Sequence, residues 1–260
     1  MALPKQVKYQ LTTIELPSDP RVKLKIRPFT GEEEKLFLML KTGNEDYKKV
    51  QETIVQVIGN CIHEAPSSFK IKDLCLFDIE WLFLQLHSIS IDNTIEFTYN
   101  NTENIKTEAC KPDCPVEIRI QIPIADVKIH YPEDTSKTIV LYDNEDIGML
   151  GLKLKYPTAE MMPLIVDLEK SDESTQLNDM IYVCLENFFD DKQTYIPDRN
   201  DPKEVEETKT MISGFTFEQR KLIKKFFEEM PTIKHTFDVK CPVCGFRESL
   251  TLRGLNDFFL

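Results

Sequence analysis

Apolar and polar positions first alternate between Lys8 and Leu16, and again where Val22, Leu24 and Ile26 are separated by Lys23, Lys25 and Arg27. A Pro-Ser-Asp-Pro turn at 17–20 lies between the two runs, so the pattern predicts an opening β-hairpin. The period lengthens after Thr30. That residue is placed to cap a helix with Glu32, Glu33 and Glu34 in its first turn, where carboxylates suit the positive end of the helix dipole. Leu36, Phe37 and Leu40 would form its apolar stripe. Tyr47, Val50, Ile54, Val57, Ile58 and Cys61 recur at steps of three and four, predicting a helix over about 45–62 with one buried face. The stretch 73–87 is apolar nearly all round, from Leu76 through Trp81 to Leu86, and reads as a central core helix. Strands are expected at 93–99, 116–122 and 124–131.

The second half carries a similar pattern. Gly-Leu-Lys-Leu-Lys-Tyr-Pro-Thr-Ala-Glu at 151–160 parallels Val-Lys-Leu-Lys-Ile-Arg-Pro-Phe-Thr-Gly-Glu at 22–32. Helices are expected at about 158–169 and at 175–189, the latter with Leu177, Met180, Ile181, Cys184, Leu185 and Phe188 on one face. Thr216-Phe-Glu-Gln219 is a capping-box pattern that opens another helix, with Leu222, Ile223, Phe226, Phe227 and Met230 at helical spacing. A strand at 233–239, a Cys-Pro-Val-Cys-Gly knuckle, a strand at 248–252 and a short helix from Leu255 to Leu260 follow. The charged, proline-containing stretch from Asp190 to Gly214 reads as an exposed loop, solvated rather than a docking site for a basic partner.

Both halves thus read as strand, helix, helix, helix, strand, cysteine pair, strand. The steps from Lys25 to Cys110 and from Lys155 to Cys241 are nearly equal. Matching order and spacing suggest internal duplication, although any α+β chain of this size shows some such alternation. The expected fold is α+β, with two similar helical lobes that each carry β-hairpins, and a zinc-ribbon-like cysteine knuckle. An N-terminal lobe over 1–131 and a C-terminal lobe over 149–260 would be joined by a linker at 132–148, where Pro132, Glu133 and Asp134 break the pattern.

Composition narrows the partners. The net charge of −12 repels phosphate backbones and argues against broad nucleic-acid binding. Met-Ala-Leu-Pro-Lys-Gln lacks the apolar core of a secretory signal, and no uncharged apolar run approaches a membrane span. Seven cysteines, an odd number without an export signal, fit a reducing compartment, where close pairs are metal ligands rather than disulfides.

Cys241-Pro-Val-Cys244-Gly is the sharpest motif. Two intervening residues let a tight turn aim both sulfurs at one tetrahedral ion; Pro242 presets φ and Gly245 admits a positive one. A structural zinc needs four ligands, and Cys110-Lys-Pro-Asp-Cys114 occupies the equivalent place in the first half. One zinc bound by Cys110, Cys114, Cys241 and Cys244 would join the halves; two degenerate knuckles are the alternative. A redox Cys-x-x-Cys fits less well, because such motifs open a helix, whereas here the context is strand, turn, strand. Cys61, Cys75 and Cys184 fall on apolar helix faces and read as core residues. His63, His87, His130 and His235 form no paired motif, and His235, near the knuckle, is a substitute ligand only against the usual spacing. No phosphate-loop, dinucleotide, nucleophile-elbow or zinc-protease motif is present, and no small-molecule substrate is expected.

Several segments together resemble the baseplate hub protein family of T4-like tailed phages. They are Ala-Leu-Pro at the start, Leu-Lys-Ile-Arg-Pro-Phe-Thr-Gly-Glu-Glu-Glu-Lys (24–35), Val-Ile-Gly-Asn-Cys-Ile (57–62) and Leu-Phe-Asp-Ile-Glu-Trp-Leu-Phe-Leu-Gln-Leu-His-Ser-Ile-Ser (76–90), with the Cys-Pro-Val-Cys-Gly and Asp-Phe-Phe-Leu of the C-terminal region. His87 and Ile91-Asp92 depart from the family's basic residue and Val-Gly. The resemblance implies a hub subunit or assembly factor rather than an enzyme, with other phage baseplate hub proteins as partners. It also implies the host cytoplasm during assembly, and the virion tail baseplate, as locations. A zinc-ribbon nucleic-acid binder is the alternative, motivated by Lys234, Lys240, Arg247 and Arg253 around the knuckle.

Overall fold

The computed structural model describes residues 8–42, 47–133, 136–161 and 172–259. The opening hairpin forms as expected. Strand β1 (Thr12–Leu16) pairs antiparallel with β2 (Asp19–Ile26). The alternation sends Ile14, Leu16, Leu24 and Ile26 into the core, while Lys23 and Lys25 reach surface carboxylates on Glu15 and Glu64. Helix α1 (Gly31–Thr42) starts after Thr30, and α2 (Tyr47–Cys61) buries Val50, Ile54, Val57, Ile58 and Cys61. The side chains of Phe37 and Leu40, expected on the α1 stripe, lie outside the described residues. The chain leaving α2 returns to the hairpin as β3 (Ile62–Glu64), giving the order β1-β2-β3.

Helix α3 (Leu76–Ser90) begins and ends later than the expected 73–87; at its start Ile71–Asp73 forms a tighter turn and Cys75 takes the N-cap. Cys75 is therefore a half-buried cap rather than a helix-face residue, and its N–H donates to the Asp78 carboxylate. The all-round apolar pattern has a physical cause. Ile79, Leu82, Phe83 and Leu86 face the core built on β1-β2-β3, whereas Leu84 faces a different one. Ile91 and Asp92 at its end have no positive φ, so the turn there needs no glycine.

Strands β4 (Thr94–Asn100) and β5 (Glu117–Pro123) form a two-stranded ribbon, with the one-turn helix α4 (Thr102–Lys106) in their connection. The strand expected at 124–131 is shorter. Ile124–Asp126 coil into a tight turn that buries Ile124 and Val127, leaving β6 at Lys128–His130.

Residues 138–144, within the expected linker, form β7 (Thr138–Asn144), which pairs with β8 (Gly148–Leu154). Beyond Met161 the helix expected at 158–169 lies outside the described residues. Helix α5 (Glu173–Cys184) stops short of 189, and Leu185–Asp190 form β9 instead. Leu185 and Phe188 stand at helical spacing, but pairing with β8 makes a strand, and a register shift opposite Lys153 and Leu154 lets both be buried. Gly151 has no room for a Cβ under the ring of Phe189 across that pair. With β10 (Thr194–Tyr195) the sheet order is β10-β9-β8-β7.

The stretch expected as an exposed loop contains helix α6 (Pro202–Ser213). Asp201 caps it by accepting the Lys203 N–H, and Thr208 and Ile212 are buried on its inner side. Its charged residues occupy the other faces and masked the stripe. Helix α7 (Phe217–Glu228) opens on the expected Thr216–Gln219 box, whose two side chains and backbone N–H groups bond reciprocally. Strands β11 (Thr232–Lys240) and β12 (Arg247–Arg253) and helix α8 (Gly254–Phe259) complete the described chain.

Strand β6 pairs with β11, giving the order β12-β11-β6 across the two sequence halves. A shared core of Leu84, Ile95, Ile122, Ile124 and Val127 with Ile233, Leu252 and Phe258 lies beneath. Phe258 thus packs back on its own hairpin. Glu80 of α3 reaches the same seam and accepts from the Thr232 hydroxyl (2.9 Å) and the Ile233 N–H (3.0 Å).

Candidate metal centre

The knuckle between β11 and β12 is closed by short backbone bonds. The Cys241 N–H donates to the Phe246 carbonyl (2.8 Å), and the Gly245 N–H to the Cys241 carbonyl (3.0 Å). Gly245 takes a φ of 77°, the left-handed conformation its type permits at no steric cost. This hairpin aims Cys241 and Cys244 to one side.

The first cysteine pair is reached differently. After β4 the chain makes α4, then passes Glu108 with a φ of 62° before Cys110. The Cys110 N–H donates to the Asn104 carbonyl (2.8 Å), and the Cys114 N–H to the Lys111 carbonyl (3.0 Å). Asn101, fully buried, ties the loop to the segment leading into β5. Its N–H donates to the Val116 carbonyl (2.7 Å) and its amide to the Pro115 carbonyl (3.1 Å).

The two loops meet. The sulfurs of Cys110, Cys114, Cys241 and Cys244 all lie within 4.8 Å of one another, and those of Cys244 and Cys110 are 3.5 Å apart. Cys110, Cys114 and Cys241 are buried, Cys244 half-buried, with Ile105, Ile118 and Phe246 packed around them. Tetrahedral coordination at a metal–sulfur distance of about 2.3 Å separates ligand sulfurs by about 3.8 Å. The observed cluster brackets that value, so these four residues could hold a metal ion. The Phe246 N–H and the neighbouring thiols lower the pKa of Cys244, while burial raises those of Cys110 and Cys114. A bound cation would offset the penalty that burial places on the thiolates.

The remaining cysteines sit elsewhere. Cys61 and Cys184 are buried at the ends of α2 and α5, and burial pushes their thiols up to about 11 and about 12. His235 stacks on Phe237 in β11 and is not among the clustered donors. Sequence reasoning missed the polar group beside the cluster. Glu248 of β12 accepts from the Tyr99 hydroxyl and from the Asn104 amide (3.0 Å). No spacing rule links residues so far apart in the chain, and only the meeting of the hairpins exposes them.

A family model described as T4 bacteriophage base plate protein matches residues 7–260. The chain belongs to that family. It is also 26% identical to the baseplate hub assembly protein gp26 of Enterobacteria phage T4, over 93% of this chain and 96% of that protein. No solved structure gives a significant match. Family membership gives the chain a structural or assembly role in the phage tail baseplate.

The segments that carried the resemblance are mostly architectural. In Arg-Pro-Phe-Thr-Gly-Glu-Glu, Arg27 donates two hydrogen bonds to Glu33 (2.8 and 3.2 Å), and the Thr30 N–H and hydroxyl donate to the same carboxylate. Glu33 is buried, and the Arg27 guanidinium pulls its pKa down to about 2. In Phe-Asp-Ile-Glu, Asp78 and Glu80 anchor backbone N–H groups of Ser18 and Ile233, which lie far away in the chain. Among the described residues, no helix is long and apolar enough to cross a membrane.

Proposed function

We propose that this protein is a component or assembly factor of the baseplate hub that acts through protein–protein contacts without a catalytic step. The observation that carries this is the match to a hub assembly protein over nearly the full length of both chains. Its partners are other baseplate hub proteins. It works in the host cytoplasm during assembly and docks at the tail baseplate. The buried carboxylates of Asp78, Glu80 and Glu33 accept from backbone, hydroxyl or guanidinium donors, and those of Asp78 and Glu80 so tie distant parts of the fold together.

Within that role, one structural Zn²⁺ bound by Cys110, Cys114, Cys241 and Cys244 staples two copies of a duplicated α+β unit. Support for the ion comes from four soft donors of two separate hairpins converging on a tetrahedral spacing. Support for the duplication comes from matching pairings. Each half has an antiparallel β1-β2-β3 or β7-β8-β9 array, with a helix leading into the third strand. The Arg27 N–H donates to the Cys61 carbonyl (2.9 Å) as the Lys155 N–H does to the Cys184 carbonyl (2.8 Å). Each half then ends in a cysteine-bearing hairpin. Zinc closes these hairpins on each other, and the surfaces they hold in place make the contacts.

Co-expression with the other hub proteins tests the role: the chain is expected to co-purify with at least one of them, and a monomer that binds none overturns it. Retention on DNA or RNA at low salt would instead favour the nucleic-acid alternative. Arg253, one of the cations around the knuckle, is already engaged with the Glu228 carbonyl (2.6 Å). Metal analysis of the wild type beside Cys110→Ser and Cys241→Ser tests the ion. Either change should remove one zinc per chain, and independent behaviour of the two pairs overturns the shared site.

A further inference from the structure

The two cysteine hairpins pack face to face along a graded seam. At its inner end Ile95 of β4 shares a core with Ile233 and Leu252. Farther along, Phe97 and Phe237 meet edge to face with ring centroids 6.1 Å apart. Next come Tyr99 and Glu248, and beyond them the four thiols. Glu248 thus joins the hairpins between the aromatic pair and the thiol cluster.

Its contacts lead directly into the cluster. The Asn104 amide nitrogen, with two hydrogens to share, lies within bonding distance of Glu248 (3.0 Å), the Tyr99 oxygen (2.6 Å) and the Asn101 side-chain oxygen (3.2 Å). That same Asn101 oxygen lies 3.6 Å from the Cys110 sulfur, within reach of the thiol. Asn104 also accepts the Cys110 N–H through its carbonyl. One carboxylate on the second hairpin therefore fixes the residue that sets both the backbone and the side-chain surroundings of a thiol on the first.

We propose that Glu248 is a positioning residue for the metal centre, holding Asn104 and Tyr99 so that Cys110 and Cys114 meet Cys241 and Cys244 at binding distance. This rests on the four-thiol zinc reading above. Unlike the tight Cys241–Cys244 knuckle, the Cys110–Cys114 loop is shaped through α4 and two asparagines, so it has the most to lose when its anchor goes. Groups that orient metal ligands from outside typically contribute 10–100-fold in affinity.

The test measures zinc affinity of the full chain by competition with a chromogenic chelator, alongside thermal melting. Glu248→Leu is expected to weaken zinc binding about 10–100-fold. Glu248→Gln, which keeps an acceptor oxygen, should weaken it less. Tyr99→Phe added to Glu248→Leu should cost less than Tyr99→Phe alone, because the shared contact is already gone. Val57→Ala, in the core beneath β1-β2-β3, should lower the melting temperature yet leave zinc affinity unchanged. Wild-type affinity in Glu248→Leu, or an equal loss in Val57→Ala, overturns the positioning role alone. A wild-type chain that takes up no zinc overturns the metal reading and this proposal with it.

Discussion

Between β11 and β12 the chain turns in a few residues, using Pro242, Gly245 and two backbone hydrogen bonds to present its thiols. Between β4 and β5 it takes a helical turn, two asparagines and a non-glycine residue at positive φ to present the equivalent pair. A similar contrast separates the two sheets. Arg27 and Lys155 make the same backbone bond to the end of a helix, but among the described residues only Arg27 adds a buried ion pair, with Glu33. Equivalent places in the two halves are thus held by different means. The compact knuckle is self-sufficient, whereas the first hairpin and the first sheet depend on side-chain networks. Sensitivity to mutation should follow those networks rather than the topology.

The sharpest contrast is expected between Arg27→Met and Lys155→Met. The first leaves the Glu33 carboxylate buried without its partner and should cost about 3–5 kcal/mol in denaturant unfolding. The second keeps the backbone bond and should stay within about 0.5 kcal/mol. Equal losses would break the comparison.

Acid should sharpen it further. The folded-state pKa of Glu33 is depressed from 4.5 to about 2, so its contribution is fully present above the ordinary carboxylate range. It is lost as pH falls through about 4.5 toward about 2, and amounts to about 3 kcal/mol. Unfolding free energies followed over that window should fall in the wild type, and Arg27→Met should abolish this component of the fall.

Smaller effects separate the two turns. Gly245→Ala meets no neighbouring atom, so its cost is the left-handed conformation alone, about 1–2 kcal/mol. Glu108→Gly relieves the same strain at the other loop and should stabilise by less than about 1 kcal/mol, because glycine also loses more entropy on folding. Melting curves of the two variants that shift in the same direction would show that the loops are not strained as their φ angles indicate.

Much of this was readable from the chain. The opening hairpin, α2, the capped helix at Thr216 and the knuckle each depend on residues close in sequence, and periodicity or spacing reports them directly. Less legible were α6, whose narrow stripe of Thr208 and Ile212 hides among charges, and β9, whose Leu185 and Phe188 stand at helical spacing and share a strand face only through a register shift. There the pairing with β8 outweighed local preference. The four thiols were nameable as ligands, but the carboxylate that ties their hairpins together was not.

By itself the sequence determined the α+β class, the positions of both cysteine pairs and the family, since motifs and periods are properties of neighbouring residues. Only the tertiary structure decided that β6 joins β11, that α3 serves two cores, and that Glu248 meets Tyr99 and Asn104. The β6–β11 pairing and the Glu248 contacts join residues about a hundred or more positions apart, each ordinary in its own surroundings, and they exist because hydrophobic burial brings the two halves together.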